Sequence, residues 1–242
     1  MRDEAFSVVS DNAEIHGRVH LPLHCPAPGV ICSHGLFSSK DSPKFIDMAR
    51  HLAERGMVAV RYDHRGCGDS EGRIEETTLS GRLADLQAVY AFVSRQSAWV
   101  EGPMGLMGSS MGGLVSLWAA ASGGTFRAIV VWATPWQISK PSQQSTAAGL
   151  TVLNGAFFKD LQQYRLDRVL GGVQRCMIVH GRNDELVPVT HAHRIYQQLG
   201  IPKSLKILPG ADHRFSNPLH RERAVRYTTA FLRRNLMDGA DE

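Results

Sequence analysis

The sequence has little of what marks a membrane, disulfide-stapled or nucleic-acid-binding chain. Only four cysteines occur in 242 residues, at 25, 32, 67 and 176. They form no C-x-x-C pair and are spread too widely for a disulfide framework. Cys32 and Cys176 fall in apolar runs and read as small core residues in a reducing compartment. No apolar run approaches the ~20 residues that cross a bilayer. The start, Met1-Arg2-Asp3-Glu4, is charged where a secretory leader would be apolar. We therefore expect a cytoplasmic protein without a membrane partner. Charge of one sign is scarce too: 27 Lys and Arg face 23 Asp and Glu, a net +4. The densest basic group is Arg221, Arg223, Arg226, Arg233 and Arg234, on one predicted helix. It reads as a solvated face, so no nucleic-acid partner is expected.

Cofactor signatures are also missing. Gly66-Cys67-Gly68 lacks the rest of a dinucleotide fingerprint, and no Walker lysine exists. His16, His20 and His24 recur every four residues, but the first two fall on a predicted edge strand. Pro22 interrupts the path to the third, and no carboxylate or cysteine completes a ligand set. They are expected to be solvent-exposed. His191 and His193 are two apart on a predicted helix and face different ways. We expect neither a metal nor a cofactor.

What is present is a hydrophobic content of 43%, enough for one domain with a sizeable core. Residues 5–9 and 14–21 read as antiparallel strands joined by Ser10-Asp11-Asn12. Strands and helices then alternate. Strands are expected at 30–33, 58–62, 103–107, 128–132, 176–179 and 204–208. Helices are expected at 43–55, 79–94, 114–121, 190–199 and 224–236. In the second helix Leu83, Leu86, Val89, Tyr90 and Val93 form one apolar stripe. The inner strands are continuous apolar runs, as in a parallel sheet covered on both faces. The expected class is α/β: a doubly wound, mostly parallel sheet with an antiparallel N-terminal edge. One domain spans 1–242, and residues 135–170, which hold no clear strand, are expected to form a small cap insertion.

The segment with most chemical content is Met107-Gly108-Ser109-Ser110-Met111-Gly112-Gly113. Gly108 to Gly112 fits Gly-x-Ser-x-Gly, a turn that holds a serine out between a strand and a helix. The pentapeptide alone is a weak signal in a chain with 23 glycines. Its flanks strengthen it, since an apolar strand precedes it and a helix follows. A serine hydroxyl needs a base, and the base needs an orienting acid. In this topology they follow the serine, each in a loop after a strand. His213 fits the base and Asp184 the acid, with Glu185 and Asp212 as competing carboxylates. Asp212, adjacent to His213, is expected to pin the loop. An oxyanion would be met by the N–H of Met111 and by that of Leu36, in the loop Ser33-His34-Gly35-Leu36-Phe37. His34 reads as a structural brace for this loop.

With these residues assembled, the chain resembles the α/β-hydrolase superfamily over nearly its whole length. The resemblance rests on the elbow, His34-Gly35, His180-Gly181 with Asp184, and Gly210-Ala211-Asp212-His213. It also rests on Arg61-Tyr62-Asp63-His64-Arg65-Gly66-Cys67-Gly68-Asp69-Ser70-Glu71-Gly72, a structural hallmark to which no chemistry is assigned. The chain is most similar to cinnamoyl/feruloyl esterase-like and serine-aminopeptidase-like hydrolases with a small cap. That resemblance implies cofactor-free cleavage of small to medium acyl or aryl esters, thioesters included, through an acyl-enzyme. A peptidase or acyltransferase on the same residues, or a non-catalytic binding module, are the alternatives. An aminopeptidase would need a carboxylate for the substrate amine, and Asp160 is the cap acid that offers itself. Trp136, Phe157 and Phe158 are expected to form an apolar substrate wall. Gln143, Gln144 and Tyr164 are expected to meet a substrate hydroxyl. The partner is a small-molecule ester, and the chain a monomer or homodimer.

Overall fold

The computed structural model describes residues 2–123, 125–138 and 152–237. Its single sheet has eight strands: β1 (Arg2–Ser10), β2 (Ala13–Leu21), β3 (Ala27–Ser33), β4 (Val58–Tyr62), β5 (Val100–Ser109), β6 (Phe126–Trp132), β7 (Cys176–Gly181) and β8 (Lys203–Leu208). They lie side by side in the order β1-β2-β4-β3-β5-β6-β7-β8. The pairs β1–β2 and β2–β4 are antiparallel, and every later pair is parallel. The helices are α1 (Pro43–Glu54), α2 (Leu79–Val93), α3 (Met111–Ala121), α4 (Gly155–Leu161), α5 (Thr190–Gln198) and α6 (Pro218–Leu236).

Continuous apolar strands follow from the two-sided burial. Along β6, Ile129 and Val131 point to one core cluster while Val130 and Trp132 point to the other. Cys176 and Ile178 alternate in the same way with Met177 and Val179 on β7. The first cluster is closed by α2, α3, α4 and α5, the second by α1 and α6. The doubly wound sheet with its antiparallel edge is therefore as expected from the apolar runs.

Three local readings are corrected. His20 is buried rather than exposed, at 5% of its full exposure. Strand β2 is not the edge, because β1 covers it, and His20 Nε2 accepts a hydrogen bond from Arg61 Nε at 2.9 Å. The last helix begins six residues earlier than expected, at Pro218. Asn217 Oδ1 caps it by accepting from the Leu219 N–H, and proline suits its first position. Arg221 of this helix, read as part of a solvated face, is not a free charge, since its Nε meets Asp47 of α1 at 2.7 Å.

The chain order places the site. From β3 the chain moves outward to β4, and then crosses back to β5 on the other side of β3. Loops leaving the carboxyl ends of β3 and β5 therefore diverge and open a crevice, the usual ligand position in such sheets.

Candidate active site

Ser110 is the single residue between β5 and α3, with φ 56° and ψ −122°. This left-handed geometry is strained for serine and survives only because its surroundings fix it. The Ser110 N–H donates to the Trp132 carbonyl of β6 at 2.8 Å, tying the turn to the sheet. Close approach explains the flanking glycines. A Cβ on Gly108 would lie 2.2 Å from the Gly112 carbonyl oxygen, and one on Gly112 would lie 2.0 Å from the Ser33 carbonyl oxygen. Ser110 Oγ has no hydrogen-bond partner among the described residues. Ser110 lines a cavity of about 950 Å³.

His213 lines the same cavity from the loop after β8. Its Nδ1 lies 2.9 Å and 3.0 Å from the two carboxylate oxygens of Asp184, in the loop after β7. Asp184 Oδ1 also accepts from the Leu186 and Val187 N–H groups, and His180 Nε2 approaches Oδ2 at 3.2 Å. Burial opposes ionisation of Asp184, but the hydrogen bonds from His180 and His213 outweigh it and hold the carboxyl well below its usual range. An ionised Asp184 requires a proton on Nδ1, which leaves the Nε2 lone pair free. The competing carboxylates do other work. Glu185 Oε2 accepts from the His213 backbone N–H at 3.1 Å, and Asp212 Oδ1 accepts from the Ser216 N–H at 2.8 Å.

Facing the elbow is the loop after β3. Leu36 lines the cavity, and its N–H donates to no described residue. The Met111 N–H opens α3, where no intrahelical acceptor exists. The Leu36 peptide is held from behind. His34 Nδ1 lies 2.7 Å from the Gly35 carbonyl, and its Nε2 accepts from the His64 N–H at 3.0 Å. Burial, with His64 and Arg82 nearby, holds His34 neutral, far below its ordinary value. Arg82 of α2 is fully buried and pairs with no carboxylate among the described residues. Its Nη1 donates weakly to the carbonyls of His34 and Gly35, at 3.4 Å each. Sequence reading missed Arg82, whose contacts with the His34 and Gly35 carbonyls span more than forty residues and carry no local spacing.

The expected substrate wall is placed differently. Phe157 is fully buried in the core beneath α4 and stacks edge to face on Phe158 at 5.1 Å. Neither residue lines the Ser110 cavity. Helical spacing put Phe157 on the face that docks α4. Trp136 lies under the Arg194 guanidinium, at 4.6 Å, and borders a separate cavity of about 140 Å³ with Tyr164. The apolar lining beside Ser110 comes instead from Leu36, Phe37, Pro135, Ile138, Leu186 and Val187. Asp160 accepts from the Ser80 N–H and hydroxyl, so its carboxylate is engaged. Gln143 and Gln144 lie outside the described residues. A further cavity residue that the sequence did not single out is Lys44, whose Nζ donates to Ser109 Oγ at 2.8 Å. No described helix is long and apolar enough to cross a membrane.

A family model described as serine aminopeptidase, S33, matches residues 25–171, more than half of the chain. Mouse mitochondrial palmitoyl-protein thioesterase ABHD10 is 28% identical over 119 residues, 49% of this chain and 38% of that protein. Rat monoglyceride lipase is 28% identical over 146 residues, 60% of this chain and 47% of the lipase. The chain thus matches less than half the length of these two curated relatives. Among solved structures, Est1E from Butyrivibrio proteoclasticus with bound ferulic acid superposes with a TM-score of 0.82. It is 20% identical and covers 95% of this chain and 98% of its own. Mouse alpha/beta hydrolase domain-containing protein 10 gives 0.76 at 18% identity, covering 95% and 98%. At such identities the structures speak for the fold. The strained serine turn at the crevice of an eight-stranded sheet and the family match agree, and the chain belongs to the serine aminopeptidase S33 family of α/β hydrolases.

Proposed function

We propose that the protein hydrolyses carboxylic esters, thioesters included, through an acyl-enzyme on Ser110. The observation that carries this reading is the two-oxygen contact of Asp184 with His213 Nδ1, in a cavity shared with the strained Ser110. His213 Nε2 takes the Ser110 proton as Oγ attacks the ester carbonyl carbon. The carbonyl oxygen becomes an oxyanion facing the Leu36 and Met111 N–H groups. Collapse breaks the bond to the alcohol or thiol, which leaves with the proton held by His213. Water, giving a proton to His213, then attacks the acyl group and frees the acid. Asp184 stabilises the imidazolium in both halves.

Residues 135–170 are read as a small cap, because Pro135, Gln137 and Ile138 reach the cavity wall. A peptidase that holds a substrate ammonium is less well supported. The described cavity lining has no Asp or Glu, and Asp160 is engaged by Ser80. An acyltransferase would reveal itself by ester or amide product when an alcohol or amine acceptor is added. The direct test is hydrolysis of 4-nitrophenyl esters from acetate to laurate by wild type and by Ser110→Ala. Serine-dependent release of 4-nitrophenol is expected, and no release from any chain length would count against an esterase.

Arg82 is a positioning residue in this scheme. Its hydrogen bond to the Gly35 carbonyl, with that of His34, polarises the Gly35–Leu36 peptide and fixes the direction of the Leu36 N–H. Arg82→Met is expected to lower kcat about tenfold or more with KM little changed, as for loss of oxyanion stabilisation. Titration of active serine with a fluorophosphonate corrects for misfolded enzyme. A purely structural Arg82 would leave kcat per titrated site unchanged.

A further inference from the structure

The cavity in front of Ser110 carries positive charge that the described chain does not neutralise. Lys44, Arg214 and Arg221 line it, with no Asp or Glu among the described lining residues. Arg221 is committed to Asp47 and to the carbonyls of Phe215 and Ser216. Lys44 and Arg214 are not. Among the described residues Lys44 Nζ donates only to the neutral hydroxyl of Ser109, the residue before Ser110. Arg214 is exposed and makes no hydrogen bond or ion pair to a described residue. Burial, with the Arg214 charge nearby, pushes the Lys44 ammonium down to about 8. The carboxylates whose fields reach it, Asp184 and Asp212, are held by His213 and by the Ser216 N–H.

The same wall has a second polar feature. Ser42, Pro43 and Lys44, at the start of the twelve-residue α1, all line the cavity. Ser42 Oγ is buried without a hydrogen-bond partner. A helix start favours negative charge, and an anion between two cations turns their repulsion into attraction.

We propose that the substrate ester carries a carboxylate, which Lys44 and Arg214 hold beside the scissile carbonyl. This rests on the reading of Ser110 as the nucleophile of an ester hydrolase. The Arg214 guanidinium can grip a carboxylate with two parallel N–H donors, while Lys44 supplies a point charge close to the elbow. The cavity is thus selective by charge, with its apolar lining left to accommodate the remainder of the molecule.

Two substrate pairs, each a carboxylate and its methyl ester on the same skeleton, test this. Mono-4-nitrophenyl adipate and its methyl ester differ by one charge on the acyl side. The pair 4-acetoxybenzoate and methyl 4-acetoxybenzoate differs by one charge on the leaving-group side. In wild type at least one pair is expected to favour the anion about tenfold in kcat/KM, or about 1.4 kcal/mol. In Lys44→Met and in Arg214→Met that ratio is expected to fall at least severalfold. The ratio is internal to each enzyme, so a general loss of activity cancels. Arg214 is exposed, so its substitution leaves the packing in place. Ratios at or below one in wild type, or a preference that both variants keep, overturn the proposal. Calorimetry with Ser110→Ala reads the same preference without turnover. Monomethyl adipate should bind about tenfold tighter than dimethyl adipate, and equal or absent binding overturns the anion site. Neutral esters cleaved without charge preference would leave the hydrolase reading intact. Anion binding without turnover of any ester would overturn that reading instead, and with it the proposal that the substrate is an ester.

Discussion

Ser110→Ala is expected to lower kcat for a 4-nitrophenyl ester by about 10⁶-fold, the loss found when a triad serine is removed. The residual rate reflects what the Leu36 and Met111 N–H groups and substrate binding supply without a nucleophile. The fold should survive, because Ser110 Oγ makes no hydrogen bond to a described residue. Stability then separates chemistry from structure. At φ 56° an alanine keeps the strain of the native turn, while glycine relieves it. Ser110→Gly is expected to be equally inactive yet more stable by about 1 kcal/mol, which thermal unfolding reads as an upward shift of about 2 °C. Activity and stability thus move in opposite directions at one residue. Wild-type-like turnover in purified Ser110→Ala would falsify the assignment of the nucleophile.

Asp184→Asn is expected to cost about 10⁴ in kcat with the geometry kept. An amide in place of the carboxylate donates as readily as it accepts, so the imidazole is released to the wrong tautomer and its positive form loses a buried counter-charge. Glu185→Gln is the paired control. Among the described residues Glu185 meets only the backbone N–H of His213, so a loss of less than about tenfold is expected, within what a misplaced loop costs. If Glu185→Gln proved the more damaging of the two, the acid would have to be reassigned. Stability carries its own signature. The folded Asp184 carboxyl titrates below its unfolded value near 3.9, so it stabilises the fold above that pH and loses this as pH falls further. The stability gap between wild type and Asp184→Asn should be widest near neutrality and should shrink below about pH 4.

The elbow and the residues proposed as acid and base were legible in the sequence because each is a local pattern in a fixed order along the chain. A strand, a glycine turn and a helix surround Ser110; Asp184 and His213 each follow an apolar strand. The sheet was legible because β3, β6 and β7 bury both faces and so lose the alternation of a half-exposed strand. What stayed hidden depends on separate elements meeting. Arg82 reaches the Gly35 carbonyl from α2, and Lys44 reaches Ser109 from α1, sixty-five residues away in sequence. No spacing rule relates such pairs. Phe157 misled for the opposite reason. An aromatic in a stretch taken as a cap reads as substrate wall, yet at helical spacing it closes the core.

The cysteines offer a practical handle. Cys32, Cys67 and Cys176 are buried, and Cys25 is exposed. Cys25 stands just before β3, at the end of the sheet opposite the loops that carry Ser110, Asp184 and His213. A maleimide dye on the native chain should therefore attach at one position without mutagenesis. It would give a fluorescent reporter, or a surface tether, that leaves the mouth of the cavity unobstructed.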